Sequence, residues 1–282
     1  MKSSEITPYL GINLWNWVKG LGPECLGLPG KIKELGFTSI ELPMTESHVS
    51  PQLEQEVLES GLKVTLCASL TKGKDLSSFD SEERKAAFQY LTEILKTGEK
   101  LHASLLCGAL YTGGGKCHYL PDDERKREWE LAVEGIRRLA PIASECGIEL
   151  ALEPLNHFRT SVCNTSGQVL KMVDDIGELN VGLHYDMFHA CLEELDFMQS
   201  LENALKSGKL FHIHAVSNNR GTPGEGLLPW ADIFNMIRRY QYDGCITMET
   251  FAYGSLDSSY FRVFGTPDEQ AKIGIACMKK YF

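Results

Sequence analysis

Eight short apolar runs, each leading into a longer amphipathic stretch, constrain this chain more than any other feature. The runs lie at 10–15 (LGINLW), 38–42 (TSIEL), 63–68 (KVTLCA), 103–107 (ASLLC), 148–153 (IELALE), 181–186 (VGLHYD), 210–215 (LFHIHA) and 245–250 (CITMET). Each is apolar and often β-branched, as a strand covered on both faces must be. The clearest helical patterns between them are 82–100 and 122–145. In the second, Trp129, Ala132, Val133, Ile136 and Leu139 recur at helical spacing. Asp122 and Asp123 follow Pro121 near its start, where acidic groups suit the helix dipole. Gly36, Gly61, Gly147 and Gly244 stand where a helix should end and a strand begin, the place of a left-handed C-cap. Eight such units, with no Pro-, Gly- or Ser-rich linker between them, predict an α/β fold, a single (β/α)8 TIM barrel spanning residues 1–282. A doubly wound open sheet is the alternative. Against it, the first strand is not followed by GxGxxG, and no P-loop occurs.

Charge and composition narrow the partners. The net charge of −10 argues against binding a nucleic-acid backbone, which calls for a basic patch. No apolar run approaches twenty residues, so no membrane span is expected. The start, MKSSEITPYLG, lacks the apolar core of a signal peptide, and a cytoplasmic location is expected. The nine cysteines are odd in number and form no CxxC pair. They read as buried, reduced thiols rather than as nucleophiles or metal ligands.

In a barrel, chemistry gathers at the C-terminal ends of the strands. There the chain offers Glu153 after strand 5, Asp186 at strand 6, His212 and His214 on strand 7, and Glu249 on strand 8. One Glu after a strand is usually a solvated loop acid, and one His usually a satisfied hydrogen-bonding group. Acids at three of four consecutive strand ends, with imidazole on the fourth, instead predict a metal site. Three oxygens and one nitrogen suit Mn²⁺, Mg²⁺, Co²⁺ or Zn²⁺. His214, nearer the mouth, is the expected ligand of the two histidines. Arg220, in SNNRGTPGEG, would overhang the pocket, and His189 would face substrate or cap the next helix. Trp15, Trp17 and Tyr111 also fall near strand ends, as sugar-stacking walls or as core.

The segments DLSSFDSEERKAA, GALY, LEPLNHF, YDMFHACLEE, NRGTPGEGLLPWADIF and YDGCITMETF resemble the D-tagatose/D-psicose (allulose) 3-epimerases of the xylose-isomerase-like barrel superfamily. The likeness runs from GINLWNW to the final helix. It implies one (β/α)8 barrel binding one divalent ion, commonly Mn²⁺, through Glu153, Asp186, His214 and Glu249, with His189 and Arg220 holding the sugar. It also implies an isomerase that epimerises a ketose at C3 through a cis-enediolate, with Glu153 and Glu249 exchanging protons as acid and base. Barrels of this kind often form homo-oligomers.

Two positions depart from the pattern. Arg159 stands where the family has Glu after LEPLNHF, and TGGGKC follows GALY, with Gly114 at the place of a Trp over the substrate. The first adds positive charge and the second removes a wall. Weaker activity is therefore expected on free fructose, allulose or tagatose than on a bulkier or anionic keto sugar. A related isomerase or lyase acting on a keto-sugar, inosose, keto-glycoside or sugar phosphate is the alternative. A non-catalytic sugar-binding barrel fits the two retained glutamates less well. A metal-dependent nuclease would need further ligands and a basic face.

Overall fold

Parallel strands cannot be joined by a tight turn, so each needs a crossover, here mostly helical. The computed structural model describes residues 7–252, 254 and 265–282. The strands are β1 (Tyr9–Asn13), β2 (Ser39–Met44), β3 (Lys63–Ala68), β4 (Leu105–Gly108), β5 (Glu149–Leu152), β6 (Val181–Asp186), β7 (Leu210–Ala215) and β8 (Cys245–Met248). They pair in parallel in that order, and β8 closes on β1. Around them run α1 (Leu28–Leu35), α2 (Pro51–Ser60), α3 (Ser81–Lys100), α4 (Asp122–Glu145), α5 (Ser166–Ile176), α6 (Met187–Glu193), α7 (Phe197–Lys206), α8 (Trp230–Arg239) and α9 (Pro267–Met278). The fold is the expected (β/α)8 barrel. No helix among the described residues is long and apolar enough to cross a membrane.

Alternation along each strand sorts the side chains into two environments. Ile12, Ile40, Leu42, Leu66, Leu106, Leu152, Leu183, Ile213 and Ile246 face the helices and form the main apolar core. Their neighbours face the lumen, and many are polar: Asn13, Glu41, Thr65, His184, His212, His214 and Thr247 are all wholly buried. Barrel lumens are more often filled with bulky branched aliphatics. The lumen is thus mixed, with Cys67, Leu105, Cys107 and Ala151 as its apolar part.

Local signals place the helix ends. Ser50 caps α2 and Asp80 caps α3 with side-chain oxygens, and Thr165 and Thr266 open α5 and α9 with reciprocal capping boxes. Gly36 and Gly61 are left-handed C-caps as expected, with φ of 92° and 66°. Gly244 is not one. After α8 the left-handed residue is Gln241, with φ of 53°, and Gly244 instead lies where a Cβ would strike the Tyr242 ring.

Gly108 ends β4 with φ of 124°, and a Cβ there would overlap the Ala68 carbonyl oxygen of β3. That oxygen is backbone and cannot rotate away. Gly108→Ala should therefore destabilise the barrel by about 2 kcal/mol or more. A lowered urea midpoint at unchanged slope would bear this out, and an unchanged midpoint would contradict it.

Candidate metal and sugar site

Four strand ends bring their side chains to one place. Asp186 and His214 are register partners on β6 and β7, while Glu153 and Glu249 each follow the last residue of their strand. Donor atoms of Glu153, Asp186 and His189 lie within 4.8 Å of one another, as do those of Asp186, His214 and Glu249. The two sets share Asp186, so the four expected ligands form one cluster at the mouth. All four are buried.

His214 is held from behind. Its Nε2 lies 2.8 Å from Glu41 Oε1, which leaves Nδ1 facing Asp186 Oδ2 at 3.5 Å and Glu249 Oε1 at 3.4 Å. Nδ1 makes no hydrogen bond with either, so a buried nitrogen is aimed between two carboxylates. Three carboxylates and this nitrogen make a donor set that fits a hard divalent cation. A carboxylate behind a ligating imidazole is also the usual means of orienting the ring and raising its basicity.

Charge supports the same fit. Burial alone would lower the His214 pKa, but the carboxylates of Glu249 and Glu41 outweigh it and hold it well above the ordinary imidazole value. Burial pushes Glu153 well up, and the nearby charges of Asp186 and Glu249 add to it. Burial also opposes ionisation of Asp186, yet His189, Arg220 and His214 together hold its carboxyl far below the usual range. A cluster that draws a proton onto a buried imidazole is one where a divalent ion can take that proton's place.

His189 and Arg220 complete the mouth. Asp186 Oδ1 accepts the His189 backbone N–H at 2.8 Å, capping α6. The His189 ring is oriented separately: Nδ1 accepts the Asn156 backbone N–H at 2.9 Å, which puts the ring proton on Nε2. Nε2 lies 3.7 Å from Glu153 Oε1 and 3.2 Å from Arg220 Nη2. Arg220 Nη1 donates to Glu249 Oε2 at 2.9 Å and lies 3.4 Å from Asp186 Oδ2. Its backbone takes a left-handed φ of 61°, unfavourable for Arg, which aims the side chain inward. The guanidinium sits 4.0 Å from the Phe188 ring centroid and 5.2 Å from that of Phe251.

The expected sugar walls are seated differently. Tyr111 is wholly buried, and its hydroxyl donates to the carbonyls of Glu153 at 2.9 Å and Cys163 at 3.3 Å. It braces the end of β5 rather than facing a ligand. Trp17 is turned onto α9, where Nε1 donates to Asp268 Oδ1 at 2.7 Å. Trp15 instead stacks on Phe251 at 5.2 Å and so belongs to the aromatic group around Arg220. Arg159 is exposed on the loop after β5, and its carbonyl accepts the Gly115 N–H at 2.9 Å. The two departures noted in the sequence are therefore bonded to each other. Lys116 and Thr160 extend the pairing as a parallel bridge. Beside them opens a cavity of about 450 Å³ lined by Cys117, His118, Glu128, His157, Thr160 and Ser161 among others.

Sequence reasoning missed Glu41, Asn156, Phe188 and Phe251. Glu41 left a trace, an acid in the middle of an apolar strand. The others act through loop geometry that no spacing reveals.

With the barrel and its mouth described, the chain's class follows: residues 29–281 match the xylose isomerase-like TIM barrel family, to which the chain belongs. Within that family it stands among the ketose 3-epimerase relatives. It is 31% identical over 233 residues to the D-psicose 3-epimerase of Ruminiclostridium cellulolyticum, covering 78% of this chain and 76% of that one. The structure of a D-psicose 3-epimerase from Clostridium cellulolyticum H10 with D-tagatose superposes with a TM-score of 0.85 at 26% identity, covering 97% and 99% of the two chains. A 3-dehydro-D-guloside 4-epimerase of Escherichia coli is more distant, 24% identical over 239 residues, covering 77% of this chain and 84% of the other.

Tyr111→Phe tests the brace. Removing the hydroxyl leaves the Glu153 carbonyl without this donor and should cost about 1 kcal/mol of stability. Urea unfolding measures it, and a variant as stable as the parent would show that the bond contributes nothing net.

Proposed function

We propose that this protein is an isomerase, a divalent-metal-dependent ketose 3-epimerase acting on a small sugar. The observation that carries the reading is the convergence of Glu153 and Glu249 around Asp186 and His214, with Arg220 and His189 above them. Glu153, Asp186, His214 and Glu249 would hold the ion, with Mn²⁺ the expected occupant and Co²⁺, Mg²⁺ or Zn²⁺ as substitutes. When bound, it supplies Lewis-acid charge where negative charge develops on the substrate's oxygens.

The chain's own groups supply the rest. Epimerisation at C3 removes the C3 proton from one face of the ketose to give a cis-enediolate and returns a proton to C3 from the other face, so it needs two proton-transfer groups. Glu153, at the end of β5 and 3.7 Å from His189 Nε2, is placed as one of them. Glu249, oriented by the Arg220 guanidinium at 2.9 Å, is placed as the other. The roles exchange with the direction of reaction. His189 presents an Nε2 proton, and Arg220 further N–H groups, to substrate oxygens.

Chelation should abolish turnover, and Mn²⁺ should restore it. Glu153→Gln and Glu249→Gln should each lower kcat by about 100-fold or more through lost proton transfer, with metal content measured alongside. In deuterated water, label should enter the ketose at C3. Full activity in rigorously metal-free protein would overturn the reading, as would label at another carbon.

One observation favours a second reading, an isomerase or lyase for a larger or anionic keto-sugar. The loops carrying Gly115 and Arg159 are bonded to each other, and the Arg159 guanidinium on the exposed side of that pair suits an acidic or phosphorylated group. Arg159→Glu should then shift kcat/KM toward allulose and away from larger or anionic keto-sugars. A parent protein that already prefers allulose, with the preference unchanged in the variant, would remove this reading.

A further inference from the structure

Beneath the mouth, the lumen holds a second cluster that meets the first at His214 and whose other members the epimerase reading leaves unused. Donor atoms of Cys107, His184, His212 and His214 lie within 4.8 Å of one another, and so do those of Glu41, Cys67, Cys107 and His214. Every one of these side chains is buried. The imidazoles form a compact triangle: ring centroids of His184 and His214 are 4.0 Å apart, those of His184 and His212 5.0 Å, and those of His212 and His214 5.1 Å. Cys67 and Cys107 are register partners on β3 and β4 and close the opposite side.

The ring nitrogens of this cluster are left wanting. Among the described residues, neither nitrogen of His184 nor either of His212 has a partner within hydrogen-bond geometry. His212 Nε2 lies 2.8 Å from Glu41 Oε2, but off the line of a hydrogen bond. An unsatisfied buried polar group costs about 1–3 kcal/mol, so both ring nitrogens of His184 together with His212 Nδ1 in one lumen imply an occupant. Its chemistry can be read from the donors. Imidazole nitrogen and cysteine sulfur are the ligand types of zinc, whereas the mouth offers mainly carboxylate oxygen.

We propose that the lumen is a second metal site, distinct from the one at the mouth, taking Zn²⁺ or a similar borderline-soft cation through Cys107, His184 and His212. Binding exchanges the Cys107 S–H bond for a sulfur–metal bond. The proton leaves to solvent, and no electron moves. The charges then close locally: a thiolate and the Glu41 carboxylate, whose Oε2 lies 3.6 Å from Cys107 Sγ, balance a divalent ion. His214 separates the two sites, with Nδ1 toward the mouth and Nε2 toward Glu41. Glu41 thus stands behind the mouth ligand and beside the lumen ligands at once.

The test is made on the full chain purified from zinc- or cobalt-supplemented cultures and dialysed against excess Mn²⁺ without chelator, with metals counted by mass spectrometry. The expected result is one tightly held zinc per chain beside exchangeable manganese. The cobalt protein should show a thiolate-to-cobalt charge-transfer band in the near ultraviolet. Cys107→Ser should lose the band and the retained zinc yet still take up manganese. Asp186→Asn, altered only at the mouth, should keep the band. If Cys107→Ser does not fold, the parent's own cobalt spectrum and zinc count decide. No retained zinc together with no thiolate band would overturn the proposal and assign the idle nitrogens to buried water. A band that survives in folded Cys107→Ser would also overturn it.

Discussion

A single carboxylate in the lumen organises much of this barrel. Glu41 is wholly buried on β2, where an unpaired charge would be prohibitive. It accepts from Asn13 Nδ2 at 2.8 Å and Thr65 Oγ1 at 2.9 Å, and it contacts His214, His212 and Cys107. These partners come from β1, β3, β7 and β4. His214, held above the ordinary imidazole value, and the His212 ring beside it keep Glu41 well below the usual carboxylate range despite burial. It therefore ties strands across the lumen as well as along the sheet, and it sets which nitrogen His214 turns to the mouth.

The mouth is assembled by groups that reach it through others. Tyr111 holds the carbonyl of Glu153, Asn156 sets the tautomer of His189, and Asp186 caps the helix that carries His189. Arg220 is held by a left-handed backbone, two aromatic rings and Glu249. Most of these contacts join adjacent strand–helix units, so the mouth is as rigid as the barrel's own closure. Such rigidity suits chemistry in which proton donor and acceptor must keep station on one small ligand.

Much of this was legible in the chain. The short apolar runs placed β3, β6 and β7 to the residue, and the helical spacing placed α3 and α4 within a residue. The convergence of Glu153, Asp186, His214 and Glu249 was readable because strand order turns four distant segments into neighbours. Polar lining of the lumen was harder to see, since Thr, Cys and His interleaved with Leu and Ile still read as apolar strands. The aromatic residues misled for a related reason. Trp15 and Trp17 sit two apart on a turn, not a strand, so their direction follows from the short 3-10 helix over Leu14–Asn16. Tyr111 looked like a wall because its burial depends on where the β5 loop passes, which spacing does not encode.

The loops after β4 and β5 are not separate pieces. Gly115 N–H bonds the Arg159 carbonyl, Ser161 N–H bonds the Lys116 carbonyl, and Lys116 reaches on to Asp75 and Glu128 at 2.9 and 2.7 Å. Backbone pairing of this kind makes the two segments one inheritable unit. A graft that imports one loop from a relative would break the shared ladder and strand a buried Glu128. The 113–116 segment also pairs with Leu70 and Asp75, so recombination between such barrels should succeed with crossovers placed outside 70–164 and fail with crossovers inside it.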